Sequence, residues 1–406
     1  MPAVLAIEKG KIYNLGNKFP VPSCPRPVHG KMSRIGGLTS GQRSFRRNPM
    51  SQSTRWTMFV GIALAFGLIA IPVWWATSAA RSVDAPPQGP DLKEADAKAP
   101  KRPGFAEDRV PAAPGVAEIK FDAERAMKYL KAICDIGPRI SGSEGMKKQQ
   151  EMIEKHFTAL GAKVTRQTFK ARQRSRKDEV EMVNVIVSWT PDAARRILLS
   201  AHYDTRPIAD QEPNRNNWGK PFISANDGAS GVAMMMELGH HMKDVKADLG
   251  IDFIIFDGEE YVFEPDRSGL GGGDEYFLGS RYFADDYLRT KATRKFQYEA
   301  GVLFDLFAAP GAKFPVEMNS YAMAPKVLMQ LWKVAEELKV KSFRLERGPE
   351  VQDDHLALNR AGIPTVDIID FEYPHWHRLT DTPDKCSGEQ MAEVARVVLT
   401  WAQLLK

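Results

Sequence analysis

The sequence predicts an α/β fold, a largely parallel sheet covered on both faces by helices. Three observations predict it. Short apolar runs alternate with amphipathic segments from about residue 116 to the end. Such alternation is the pattern of strands joined by covering helices. At 406 residues and 43% hydrophobic, the chain has enough apolar material for one large domain with a real core. Finally, His and carboxylate residues fall just after the apolar runs, where open α/β sheets gather their ligands.

The elements follow in order. Residues 122–134 and 146–160 read as amphipathic helices, the second stopped by Gly161. Strand-like runs lie at Met182–Trp189, Ile197–His202, Ile251–Phe256, Val302–Phe307 and Thr365–Ile369. Helices are expected at Ser230–Met242, Ser280–Leu288, Pro325–Leu338 and Gly388–Leu404. No internal repeat is found. One catalytic domain is placed at 116–406.

The segments before it differ in kind. Residues 1–56 hold ten Lys/Arg and one acidic residue, Glu8, so the formal charge of +5 leaves −4 for the rest of the chain. The folded part therefore carries no basic surplus, and nucleic acid is not expected as a partner. The basic segment lacks periodicity and reads as a disordered cytoplasmic arm or an over-extended reading frame, with Met32 and Met50 as more conventional starts. Thr57–Ala80 carries no charge, is bracketed by Arg55 and Arg81, and has Trp74 and Trp75 near one end. It reads as a single transmembrane signal anchor, with a cleaved signal peptide as the alternative. The preceding basic residues put the catalytic domain outside the cytoplasm, in a periplasmic or extracellular setting. Residues 81–115, with seven prolines, form an extended tether. Of three cysteines, Cys134 and Cys386 lie in the domain, and spacing does not decide whether they pair.

Five segments deliver metal-ligand side chains to strand ends: His202, Asp227, Glu260, Asp305 and His377. Imidazole with carboxylate suits zinc, and no thiolate cluster competes. Asp227 in SANDGASG stands just before a helix, where a cap is an equal alternative. Asp305 within GVLFDLFAA would be buried and needs a partner. Glu259 and Glu260 are adjacent, so one can bind metal while the other faces substrate as a general base. His240 and His241 suit a helix C-terminus. His375 reads as a loop residue, while His355, after Gln352-Asp353-Asp354, suits either a helix start or a role supporting the ligands. Gly269–Gly273 lacks the Lys-Ser/Thr of a phosphate loop and reads as a flexible loop over the site, and no GxSxG elbow is present.

LSAHYDT, SANDGASGVA, FDGEE, the strand bearing Asp305 and the late Trp376-His377 pair resemble the zinc aminopeptidase family that includes the glutaminyl-peptide cyclotransferases. The resemblance spans roughly 120–406 and implies a mixed, mostly parallel sheet sandwiched by helices. DLFAAPGAKFP, Gln352-Asp353-Asp354-His355 and Tyr373–His377 are closer to the cyclases. By resemblance, Asp227, Glu260 and His377 hold one zinc and Glu259 shuttles the proton. Asp305 and Asp353 form a carboxylate pair, and Trp376 and Gln352 bind substrate. His202 and Asp305 match ligands of a second metal, so two zincs are expected if the chain is an aminopeptidase. The implied substrates are peptide or protein N-termini. The implied reaction closes an N-terminal Gln to pyroglutamate with release of ammonia. Hydrolysis of N-terminal residues is the alternative, and a non-catalytic binding ectodomain ranks behind both. This sequence departs from animal-type cyclases in YVFEPDRSGLGGGDE, which lacks their tryptophan. Asp367 stands where they carry histidine, and the loop before Trp376 is one residue shorter.

Overall fold

A computed structural model describes residues 5–8, 11–14, 116–266 and 272–406. The chain divides into two units, Met1–Ala99 and Pro100–Lys406. In the first, β1 (Leu5–Glu8) pairs antiparallel with β2 (Lys11–Asn14). The expected anchor at Thr57–Ala80, the proline-rich tether and most of the glycine-rich loop lie outside the described residues. Among the described residues no helix is long and apolar enough to cross a membrane.

The second unit carries a six-stranded sheet in the order β10-β7-β5-β6-β4-β3. Its strands are β3 (Lys163–Ala171), β4 (Val180–Ser188), β5 (Arg195–His202), β6 (Gly250–Phe256), β7 (Gln297–Asp305) and β10 (Thr365–Ile369). β10, β7, β5 and β6 run parallel, while β4 and β3 are added antiparallel at one side. A separate short pair joins β8 (Phe314–Val316) to β9 (Phe343–Arg347). The mixed, mostly parallel sheet expected from the sequence is present.

The strands are apolar on both sides because both faces are covered. Alternate residues Ile197, Leu199 and Ala201 of β5, with Val302 and Phe304 of β7, enter the main core. That core includes α1 (Ala123–Cys134), α2 (Glu144–Ala159), α3 (Ser230–Gly239), α6 (Pro325–Glu337) and α8 (Gly388–Leu404). Leu198, Ile254 and Phe256 face the other way, onto α4 (Leu278–Arg289) and α7 (His355–Arg360). α5 (Met318–Met323) packs beside β10. Helix starts are set by local chemistry: Asp122 accepts from Arg125 N at 2.9 Å and Ser143 from Met146 N at 3.2 Å.

The expected elements are found with shifted ends. α3 stops at Gly239, and β7 begins at Gln297, five residues before its purely apolar part. α3 can lie directly on β5 because of Gly231: a Cβ there would sit 2.4 Å from the Ala201 methyl. Cys134 and Cys386 are both buried and free.

Candidate active site

The parallel strands end on one side of the sheet, and the chemistry collects there. His202 closes β5 and Asp305 closes β7 on the same sheet face. Glu259 and Glu260 follow β6 after Gly258, whose φ of +69° turns the chain sharply. Asp227 lies in an irregular turn before α3, with φ −88° and ψ 83°. Its carboxylate does not cap the helix, so the ligand reading is the one its geometry serves. His377 comes from the loop after β10, at φ +51°. Ser224, Phe277 and Leu306 also hold positive φ beside the site. Such backbone strain persists only where surroundings enforce it.

Three overlapping groups of side chains have ligand atoms within 4.8 Å of one another: Asp227/Glu260/His377, His202/Asp227/Asp305 and His202/Glu259/Glu260. His377 Nε2 is 2.5 Å from Glu260 Oε1 and 3.8 Å from Asp227 Oδ2. His202 Nε2 is 3.2 Å from Asp227 Oδ1 and 3.4 Å from Asp305 Oδ1. Those His202 contacts fall outside hydrogen-bond angles. Buried Asp227 Oδ2, Glu260 Oε2, Asp305 Oδ1 and both His202 nitrogens have no hydrogen-bond partner. A buried cage of oxygen and imidazole acceptors pointing at common centres is the donor set a zinc ion takes.

The buried acids and imidazoles perturb one another strongly. Burial lowers His377, but Glu260 and Asp210 outweigh it and lift it to about 9. His202 is raised well above its ordinary value against burial by Asp204, Asp227 and Asp305. Burial drives Glu259 well above the usual carboxylate range, and Glu260 and Asp353 add to the rise while His202 opposes it. Burial also raises Asp227, but the two histidines reverse this and leave it lowered.

Asp227, Glu260 and His377 are each held by a carboxylate from elsewhere, of which Asp210 and Asp381 escaped sequence reasoning. Asp204 accepts Glu259 N at 3.1 Å and Glu260 N at 3.0 Å. Asp381 accepts Asn226 N at 2.9 Å, Asp227 N at 3.1 Å and the Tyr373 hydroxyl at 2.7 Å. Asp210 lies 2.9 Å from His377 Nδ1 and accepts from Arg206 Nε at 3.0 Å. This orients the imidazole so that Nε2 faces the cage. Asp204 was visible in HYDT, two residues past His202, but Asp210 and Asp381 look like ordinary loop acids.

The expected substrate side chains are close by. Trp376 packs with Leu306, Val351 and Tyr373, and its ring centroid is 4.1 Å from that of His377. Phe371 lies 5.1 Å from the Trp376 ring. Asp353 is buried just before α7, and after burial its carboxyl is raised most by Asp305. Gln352 is exposed beside it. His241 pairs with Glu237 at 2.9 Å at the end of α3, as a helix C-terminal histidine should, and His375 is a loop residue. His355 is fully buried at the start of α7, where Asp354 makes no side-chain cap.

A mostly parallel sheet with carboxylates and histidines gathered at the strand ends defines an α/β protein with a candidate metal site. Residues 184–402 match the model of peptidase family M28, and the chain belongs to that family. Within it, the solved structures it resembles include bacterial glutaminyl cyclases. The cyclase of Fimbriiglobus ruber is 53% identical, covering 73% of this chain and 99% of that one, with a TM-score of 0.71. The Bacteroides thetaiotaomicron glutaminyl cyclase bound to N-acetylhistamine is 32% identical, covering 71% and 99%, with a TM-score of 0.65. A leucine aminopeptidase precursor from the same organism is also 32% identical, covering 72% and 100%, with a TM-score of 0.66. Among curated proteins, glutaminyl-peptide cyclotransferase from Bos taurus is 27% identical over 233 residues. The chain spans 60% of that relative's length.

Proposed function

We propose that the chain is a zinc-dependent glutaminyl-peptide cyclotransferase acting on peptide N-termini. The observation that carries this reading is Glu259, a buried carboxylate beside the Asp227/Glu260/His377 group and not a member of it. A carboxylate so placed can both take and return a proton. Zinc held by Asp227, Glu260 and His377 would polarise the side-chain carbonyl of an N-terminal glutamine. Glu259 accepts a proton from the α-amine as its nitrogen attacks the side-chain carbonyl carbon. It then delivers that proton to the amide nitrogen as the carbon–nitrogen bond breaks and ammonia leaves. Trp376 and Phe371 wall the entrance with aromatic surface and limit water, which favours ring closure over hydrolysis.

Hydrolysis is the second reading, because His202 and Asp305 complete a second ligand group with Asp227. Mass spectrometry separates the two on one peptide with N-terminal glutamine. A cyclase removes one ammonia and leaves a blocked end. Steady release of free N-terminal amino acids without cyclisation would move the assignment to aminopeptidase. We further propose that Thr57–Ala80 anchors the enzyme outside the cytoplasm. A reporter fused after Pro114 should be active only there, and activity confined to the cytoplasm would reverse the topology.

A further inference from the structure

One buried guanidinium is bonded to both halves of the site, and the reaction above does not use it. Arg206 is 1% exposed, and a charge so buried needs good partners. Its Nε and Nη2 donate to the two oxygens of Asp210 at 3.0 and 3.1 Å, a two-pronged grip. Nη2 also donates to the Tyr276 hydroxyl at 2.9 Å. The guanidinium carbon lies 5.2 Å from the centre of the Tyr276 ring, within reach of cation–π attraction.

The two ends of this bridge lead to different parts of the chemistry. On one side Asp210 stands 2.9 Å from His377 Nδ1, and Gln211 N donates to the His377 carbonyl at 3.3 Å. The turn after Arg206 therefore holds both the ring and the main chain of a candidate ligand. On the other side Tyr276 is half-buried and precedes Phe277. Phe277 N donates to the Glu259 carbonyl at 3.0 Å, and Leu278 N to the Gly258 carbonyl at 3.0 Å. Phe277 itself sits at φ +62°, a conformation a non-glycine residue keeps only where its surroundings enforce it. The hydrogen bond from Arg206 to Tyr276 fixes the residue on its N-terminal side. A path of hydrogen bonds thus runs from His377 through Asp210, Arg206 and Tyr276, with one covalent step, to the main chain of Glu259. The planar fork of arginine makes it possible, since a lysine ammonium is a single point that cannot grip Asp210 with two prongs and reach Tyr276 as well.

We infer that Arg206 is a positioning residue that, through Tyr276, holds the ligand His377 and the proton carrier Glu259 in one frame. The inference rests on the catalytic reading above. Its alternative is local: Arg206 steadies Asp210 alone, and Tyr276 only covers it.

Tyr276→Phe separates the two, because it removes the hydroxyl and keeps the ring. The inference expects kcat to fall about tenfold with KM changed less than about twofold, short of the hundredfold that a misplacement of about 1 Å costs. Arg206→Lys keeps the charge but not the bridge. Its kcat should fall at least as far, and its zinc affinity about tenfold, as when a partner of a metal-binding histidine is disturbed. The double variant Arg206→Lys/Tyr276→Phe should be no slower than Arg206→Lys, since both changes cut the same bridge. Rates come from ammonia release, zinc affinity from competition with a chromophoric chelator, and thermal melting shows that each variant is folded at the assay temperature. Normal kcat in Tyr276→Phe, or losses that multiply in the double variant, would overturn the inference. If Arg206→Lys does not fold, Asp210→Asn replaces it as the second cut, and losses that multiply with Tyr276→Phe overturn the inference in the same way. Wild-type turnover is measured first on both a glutaminyl and a leucyl peptide. Failure to cyclise overturns the cyclase reading alone, and the same variants are then compared on hydrolysis. Absence of both activities overturns the two together.

Discussion

Asp204 offers the sharpest test of how the site is held. It is fully buried, and its two oxygens accept the backbone N–H groups of Glu259 and Glu260 at 3.1 and 3.0 Å. Asp204→Asn keeps the shape but replaces one acceptor with an NH₂ group that must face an N–H donor. One bond to a charged acceptor is lost and a buried donor is left unpaired. Together these cost about 3–5 kcal/mol. For a domain of this size, that lowers Tm by roughly 5–8 °C. The backbone of Glu259 and Glu260 then loses its fixed position, and a displacement on the order of 1 Å at a reacting group lowers kcat by about a hundredfold. Differential scanning calorimetry gives the first quantity. Ammonia release from a glutaminyl peptide at saturating zinc gives the second. A variant melting within about 2 °C of wild type, with kcat within about threefold, would show that Asp204 does not hold the pair and would refute this reasoning.

Three further outcomes are expected. Glu259→Gln should lower kcat by about 10²–10⁴-fold with metal content intact, because the amide cannot carry a proton, whereas Glu260→Gln should lower metal content. Inductively coupled plasma analysis beside the rate assay distinguishes the two, and a near-normal rate in Glu259→Gln would assign the base elsewhere. Glu237 links α3 to α1 through Arg125 Nη2 at 2.7 Å and Asp122 N at 2.9 Å. Burial raises its carboxyl, but His241 and Arg125 outweigh this and lower it from 4.5 to about 2. A depressed folded-state pKa gives stability that is present above pH 4.5 and lost as pH falls towards 2. Wild-type Tm should therefore fall more steeply than that of Glu237→Gln between about pH 5 and 3, and parallel curves would contradict the assignment. Gly228, at φ +99°, would place a Cβ 2.8 Å from the His202 ring, so Gly228→Ala should cost about 1–3 kcal/mol in urea denaturation. An unchanged midpoint would mean that the turn adapts.

The apolar interior was legible because its pattern is dictated by burial on both faces. Thr365–Ile369 and Gly388–Leu404 need no correction. β3 escaped because eight of its nine residues are not fully buried, so the strand lacks an apolar run. β8 and β9 are too short to show a period. The candidate ligand group was legible for a different reason: Asp227, Glu260 and His377 sit at strand ends or sharp turns, where local sequence fixes their placement. Asp210 and Asp381 were not, since their role depends on which loops meet after folding. Asp381 lies more than 150 residues from the Asp227 backbone it supports.

The same ligand inventory serves two chemistries, so the choice between them must lie in what surrounds it. Hydrolysis needs a water where Glu259 can activate it, and cyclisation needs the substrate's own amine there instead. An amine enters as a cation and is drawn to a pocket rich in carboxyls, but it attacks only after losing a proton. Asp305 and Asp353 are both raised by burial and by neighbouring carboxylates, and the buried carboxyl oxygens of Asp367 on the adjacent strand have no hydrogen-bond partner. Under the proposed cyclase reading, such a cluster would hold a proton without becoming uniformly charged and would favour a bound ammonium. On the same reading Trp376 and Phe371, whose ring centroids lie 5.1 Å apart, would act in the same direction by excluding water. If that reading holds, the carboxyl cluster and the aromatic pair discriminate between the chemistries, and substitutions there should change which product forms before they change whether metal binds.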